Sequence, residues 1–211
     1  IAGLDGKLLD TWSIGFQIGP RINAAGRMDH ANSAYELLMC EDPLDAERLA
    51  VALNQSNVSR QKASEALYLT AKKQIGEARD RSILFAIGEG WSIGLAGLVA
   101  GKLMQDYSLP VFVICKQEEG KYAGSGRSMH GFDVTTAMKK ASASLVRFGG
   151  HPQACGLSLV GEENLKTFQS IMEAEAKSYF ETHDRTPTLA VEAEVAPSIV
   201  TWELLEAMAP L

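Results

Sequence analysis

Between Asp42 and about Glu77, small or apolar residues recur at helical spacing: Leu49 and Leu53, then Ala63, Leu67, Ala71 and Ile75. Charged residues fill the positions between, and after Pro43 no Gly or Pro interrupts the pattern before Gly76. This spacing predicts one long helix, or two nearly collinear ones, over roughly 42–80. At about 1.5 Å per residue some 30 residues span roughly 45 Å, more than a small domain's diameter. The helix therefore reads as a connector with a body at each end.

Beyond it the pattern alternates. Ser82 to Ile87 is a buried-strand run, Ser92 to Tyr107 is helical, Leu109 to Cys115 is a second strand and Tyr122 to Ser128 a third. Asp133 is placed to cap a helix running to Phe148, with Gly149-Gly150 stopping it. Ala154 to Val160 then supplies another strand and Glu162 to Phe180 another amphipathic helix. The expected fold class is α/β, a mixed sheet flanked by helices over 81–183. Thr186-Pro187 marks a linker, and Leu189 to Val195 alternates apolar and acidic residues like the first strand of a further β domain. The chain opens at Ile1 in an apolar, Gly-rich stretch without a methionine, so it reads as part of something longer.

The 211 residues are 46% hydrophobic and 22% charged, which excludes disorder, collagen-like repeats and coiled coil. No run approaches the roughly 18 apolar residues of a helical bilayer span, so no membrane association is expected. Cys40, Cys115 and Cys155 are odd in number and widely spaced in apolar surroundings, which predicts buried reduced thiols and fits a cytoplasmic protein. The formal charge of −6 argues against nucleic acid on bulk electrostatics. Its distribution points the other way. Over 121–151 five cations (Lys121, Arg127, Lys139, Lys140, Arg147) stand against one acid, Asp133, whereas the chain beyond 160 is strongly acidic. One segment can meet phosphates while the tail repels them.

Three clusters carry candidate chemistry. In Ile18-Gly-Pro-Arg-Ile-Asn-Ala-Ala-Gly-Arg-Met28, Arg21, Asn23 and Arg27 sit among residues small enough for close backbone approach, and guanidinium forks suit planar oxyanions. The alternative is a tight turn with solvated arginines. In Gly124-Ser-Gly-Arg-Ser128, backbone N–H groups, the Ser125 and Ser128 hydroxyls and Arg127 suggest a phosphate cradle, against the alternative of a glycine-rich hairpin. The lysine and spacing of a Walker loop are absent, so no ATP is expected. In Phe148-Gly-Gly-His-Pro-Gln-Ala-Cys-Gly156, Gly149 and Gly150 present His151 at a bend, where it could bind phosphate, assist a leaving group or contribute to a metal site. Since no second histidine or carboxylate lies at ligand spacing, no metal site is assigned. The stripe Gly90-Trp-Ser-Ile-Gly-Leu-Ala-Gly-Leu-Val-Ala-Gly101 reads as close helix-to-sheet packing, with a helix N-terminus near Ser92 that could face an anion.

Taken in order, IGPRINAAGRM, the long helix with Leu53-Asn54 and Asn57 to Arg60, GW-x-x-G-x-x-G-x-V-A, GSGRS and FGGHPQACG resemble RecJ-type single-stranded-DNA-specific exonucleases of the DHH phosphoesterase superfamily. The resemblance covers roughly 12–182 and lies in the part that follows the DHH catalytic domain. The tail from Leu189 is similar to the opening of the family's OB-fold domain. On this resemblance, 1–41 is the C-terminal edge of the catalytic lobe with its RxNAAGR segment, 42–80 the connector, 81–183 the DHH-associated substrate-binding domain and 184–211 a linker and incomplete OB-like domain.

The resemblance implies a two-lobed 5′→3′ exonuclease whose missing lobe binds Mn2+ or Mg2+. A metal-bound hydroxide would attack the phosphodiester, while the present lobe holds the DNA backbone. Arg21, Asn23 and Arg27 match the RxNAAGR segment, Ser125, Arg127 and Ser128 the G-S-x-R-S motif, and Gly149, Gly150 and His151 the GGH motif. Phosphate clamping is their implied role, with His151 the residue expected to reach the metal centre. The fragment alone would be inactive and metal-free, and the implied partners are single-stranded DNA, a single-strand-binding protein and a helicase. Ser92 stands where the family usually has histidine, and Cys155 where it usually has alanine. Two other readings remain open: a phosphoesterase acting on dinucleotides or oligoribonucleotides, and a non-catalytic nucleic-acid-binding module.

Overall fold

The computed structural model describes residues 3, 4, 6, 9–28, 30–78, 80–184, 186, 189 and 191–209. A π-helical segment, Ser13–Ile18, runs directly into α1 (Gly19–Met28), followed by α2 (Asn32–Met39) and the long helix α3 (Pro43–Ile75). Asp42 caps α3 by accepting from the Leu44 and Asp45 backbone N–H groups at 2.9 Å each, Pro43 occupies the first turn, and Gly76 at φ 65° ends it.

The 33 residues of α3 form one helix, as the spacing predicts. It joins two bodies. Its first half packs Leu53 against Ala25 of α1 and Ala34 of α2. Its second half buries Leu67, Tyr68, Ala71 and Ile75 on an α/β body. There the Lys72 ammonium donates to the Asp106 carboxylate at 2.7 Å and to the Tyr68 hydroxyl at 2.8 Å, and Tyr68 donates in turn to Asp106. These side chains tie α3 to α4 (Ile93–Tyr107).

The sheet comprises β1 (Leu84–Glu89), β2 (Val111–Lys116), β3 (Lys121–Arg127), β4 (Arg147–His151) and β5 (Ala154–Val160), in the order β1-β2-β3-β5-β4. β1 and β2 are parallel through the α4 crossover, and every other pairing is antiparallel. Period-two alternation divides the core between the faces. Leu84, Ala86, Val111, Val113 and Cys115 meet α3 and α4 on one face. Phe112, Ile114, Leu157 and Leu159 meet α5 (Val134–Lys140) and α6 (Glu162–Phe180) on the other. This is the mixed α/β sheet expected from the sequence. The exposed edge of β1 is capped by the Gln74 amide, which donates to the Ile87 carbonyl and accepts from its N–H, both at 3.0 Å.

The strand expected over Tyr122 to Ser128 forms as β3, which holds Gly124–Arg127 in the centre of the sheet, with Ser128 just beyond its end. Three readings are corrected. The segment Ile18–Met28 is helical instead of a tight turn. The helix capped by Asp133 ends at Lys140 and not at Phe148: Ala141 leaves helical geometry at ψ 9°, Ser142–Ser144 form a short 3-10 turn, and Arg147–His151 pairs with β5 as an edge strand. Gly149 and Gly150 are thus strand residues, and the ladder with β5 overrides their weak strand propensity. Finally, the described residues between Leu189 and Val195 form no strand; Pro187, Thr188 and Ala190 lie outside the described residues. α7 (Trp202–Met208) follows a short 3-10 turn. Among the described residues no helix is long and apolar enough to cross a membrane.

Candidate nucleic-acid interface

The antiparallel registers place Ser125 opposite Gly156, itself opposite Gly149, and Arg127 opposite Ala154, itself opposite His151. Residues directly opposite one another share a sheet face, so Arg127, Ala154 and His151 form one row across three strands. The row lies on the α4 side of the sheet. There α4 covers β2 and β3, while Gly149, His151 and Gly156 remain exposed. β3, β4 and β5 contain no Asp or Glu.

Where α4 meets this face a groove of about 460 Å³ opens between α1, the start of α4 and β3, lined by Asn23, Arg27, Ile93, Gly94, Ser125 and Arg127 together with Gly26 and Gly97. Two close approaches build it. A Cβ on Gly94 would lie 2.4 Å from the Arg27 carbonyl oxygen, so glycine there lets the end of α1 rest on the first turn of α4, and the Arg27 Nη1 donates to the Gly94 carbonyl at 3.1 Å. A Cβ on Gly97 would lie 2.7 Å from Arg127 Nη2, so glycine there makes room for the guanidinium. The small-residue stripe thus packs closely, as expected, and also shapes the groove.

The electrostatics favour an anion. Among the described residues no carboxylate lines the groove, Arg27 and Arg127 enter from separate elements, and the N-terminus of the 15-residue α4 adds its positive dipole end. Arg60 of α3 adds a third guanidinium nearby: its pKa is lowered from the ordinary value by burial and by repulsion from Arg27. The Arg60 Nε and Nη2 donate to the Oδ1 of the buried Asn57 at 3.3 and 3.0 Å. Arg60 is absent from the sequence-predicted site residues, although the helical segment holding it belongs to the resemblance. Only its depth beside Arg27 singles it out.

Asn23, Arg27, Ser125 and Arg127 are therefore brought together, and Gly149 and His151 continue the same face. Arg21 is directed elsewhere: its Nε donates to Asn54 Oδ1 at 2.9 Å and its Nη1 to the Gln17 carbonyl at 2.5 Å, tying α1 to α3 and to the π-helical turn. Ser128 is buried on the other side of β3, with its hydroxyl 3.7 Å from the Met129 sulfur and its N–H bonded to the Gln153 carbonyl. Gly150 sits opposite Cys155 on the α5 and α6 face, at φ 146°. Because β3 is paired on both sides, its N–H groups belong to the ladder, so side chains rather than a backbone cradle face the groove. His151 ends β4 at a two-residue turn, Pro152-Gln153, and not at a helix end.

Cys115 and Cys155 are buried free thiols, their pKa pushed up by burial to about 11 and about 12, whereas Cys40 is only half-buried beside the Asp42 carbonyl. Among the described residues no group of three His, Cys, Asp or Glu side chains fits a metal ion.

The model of the DHHA1 domain matches residues 80–178. The chain is 32% identical over 198 residues to the single-stranded-DNA-specific exonuclease RecJ of Bacillus subtilis, covering 93% of this chain and 25% of that protein. It is 31% identical over 178 residues to the protein of the same name in Escherichia coli, covering 80% and 31%. Among solved structures, RecJ of Thermus thermophilus in complex with Mn2+ aligns with a TM-score of 0.73 at 29% identity, over 82% of this chain and 26% of that one. A manganese-bound exonuclease RecJ aligns with a TM-score of 0.70 at 27% identity, over 83% and 44%. The chain spans a quarter to a third of the length of the curated relatives it matches.

Proposed function

The chain contains a DHHA1 domain at 80–178 and is homologous to RecJ-type exonucleases over most of its length, and from that premise we propose that it is the substrate-binding portion of a metal-dependent 5′→3′ single-stranded-DNA exonuclease of DNA repair and recombination. The observation that carries this reading is the groove in which Arg27 and Arg127 converge from α1 and β3 beside Ser125 and Asn23, with no carboxylate among its described lining residues.

In this reading Arg27 and Arg127 donate to the oxygens of a backbone phosphate, Arg60 adds positive potential from behind, and Ser125 and Asn23 complete the hydrogen bonds. Holding the phosphate in one orientation and neutralising its charge is what residues that bind no metal contribute to phosphodiester hydrolysis. Arg21 and Ser128 support the clamp by fixing α1 and the end of β3. Gly149 and Gly150 shape the strand that carries His151 along the same face toward the scissile bond.

The domain reading follows: 1–41 is the edge of a catalytic lobe, 42–80 the connector, 81–183 the substrate-binding domain and 184–211 a linker with the start of an OB-like domain. Manganese or magnesium belongs to the parent enzyme's other lobe. The described residues do not fit such an ion, and no hydrolytic step is assigned to them. A cytoplasmic location, a single-strand-binding protein and a helicase complete the reading.

The test is a nuclease assay on the full-length protein with Mn2+ or Mg2+ and end-labelled substrates. Release of mononucleotides from the 5′ end of single strands, lowered by Arg127→Ala, is the expected result. Preferential cleavage of dinucleotides, or binding without hydrolysis, contradicts it.

A further inference from the structure

At the far end of the row from Arg127, a second cavity of about 630 Å³ opens between the β3–α5 loop and the β4–β5 turn. Its walls are His130, Phe132, Asp133, His151, Pro152 and Gln153. Of these, only His151 has a part in the proposed phosphate-binding face.

The wall chemistry differs from that of the groove. Asp133 places a carboxylate here, and that carboxylate caps α5. It accepts from the Thr135 and Thr136 N–H groups at 2.9 and 3.0 Å and from their hydroxyls at 2.6 and 2.8 Å. Three of these four bonds fall on Oδ1 and one on Oδ2, and the charge of the carboxylate turns a phosphate away. The imidazoles of His130 and His151, the Pro152 ring and the Gln153 amide are exposed at the rim. Among the described residues, none of these side chains has a hydrogen-bond partner. Flat rings with one amide that both donates and accepts suit a planar, neutral, hydrogen-bonding ring.

Position links the two sites. Arg127 and His151 are two strand spacings apart in one row, about 9.5 Å. That is the scale of a single nucleotide, with its phosphate at one end and its base at the other. We infer that the cavity at the β4–β5 turn receives a nucleobase of the strand whose phosphate occupies the Arg127 groove, stacked against His130 and His151 and hydrogen-bonded along its edge by Gln153. The inference rests on the proposed binding of single-stranded DNA and adds His130 and Gln153 to the residues that hold it. Stacking accepts any base, and the Gln153 amide can turn either way, so the pocket favours an unpaired base without selecting its identity.

The experiment is fluorescence anisotropy of the 211-residue chain with labelled oligothymidine, alongside a set of otherwise identical strands with a single abasic residue walked along the sequence. For the unaltered chain, one abasic position should weaken binding about five- to tenfold, the scale of one lost base stack. The exposed-site double variant His130→Ala/Gln153→Ala should bind the intact strand more weakly by the same factor and lose its sensitivity to that position. If abasic residues have no effect anywhere while Arg127→Ala still weakens binding, the phosphate groove stands and the base pocket is overturned. The same holds if the double variant keeps the abasic sensitivity. If the unaltered chain binds no oligonucleotide, both readings fall.

Discussion

Gly97 faces the guanidinium of Arg127 so closely that a single methyl group at that position would lie 2.7 Å from its Nη2. One turn of α4 therefore sets where the principal cation of β3 points. Alanine is a better helix former than glycine by up to about 1 kcal/mol, so Gly97→Ala should leave the melting temperature unchanged or raised. Binding of single strands should nonetheless fall several-fold, because Arg127 must leave its place. Thermal denaturation beside an anisotropy titration separates the two effects; equal loss of both would mean that Gly97 serves packing alone.

Asp133 carries a pH signature. The Thr135 hydroxyl and the Thr136 N–H, followed by the other two bonds of the cap, lower its pKa to about 2 from an ordinary 3.8. The folded state therefore binds its proton less readily than the unfolded chain. The stability this contributes is fully present above the unfolded value and is lost as pH falls toward about 2. Thermal melts from pH 7 to pH 2 should show the advantage over Asp133→Asn shrinking only below about pH 4, whereas Asp133→Ala should cost about 1 kcal/mol at neutral pH. An Asn variant that matches the unaltered chain at every pH would contradict this.

Gly150 is required by the β4–β5 hairpin. At φ 146° its conformation suits glycine, and an added Cβ would lie 2.2 Å from the Ala154 carbonyl oxygen. Gly150→Ala should destabilise by about 2–4 kcal/mol and displace His151. The neighbouring Gly149→Ala meets nothing within 4 Å and should be nearly neutral in a denaturant titration.

The long helix, the alternation of strands with helices and the Asp133 cap were legible because each rests on local periodicity or a local hydrogen bond. The strand at Arg147–His151 was not. Two adjacent glycines after a helical run read as a stop signal, and only the ladder with Ala154–Ser158 makes them strand. The helical state of Ile18–Met28 was hidden for a similar reason, since Gly and Pro mask a segment stabilised by packing on α3. At the site, the types of Arg27, Ser125 and Arg127 were readable, but their convergence was not. It depends on Gly94 and Gly97 bringing α1, α4 and β3 within reach of one another. The different fates of Arg21, turned to Asn54, and of Ser128, turned into the core, follow from helix phase and strand parity.

The central claim is that Arg27 and Arg127 together clamp a phosphate of a single strand, and salt dependence tests it most directly. Anisotropy titrations of the chain with labelled oligothymidine over a salt series give the slope of log K against log salt. For each arginine that neutralises a phosphate, removal should lower the magnitude of that slope by about 0.7. Arg27→Ala and Arg127→Ala should each do so and weaken binding by about 1–3 kcal/mol, with duplex DNA competing poorly. Unchanged slopes and affinities in both variants would contradict the clamp.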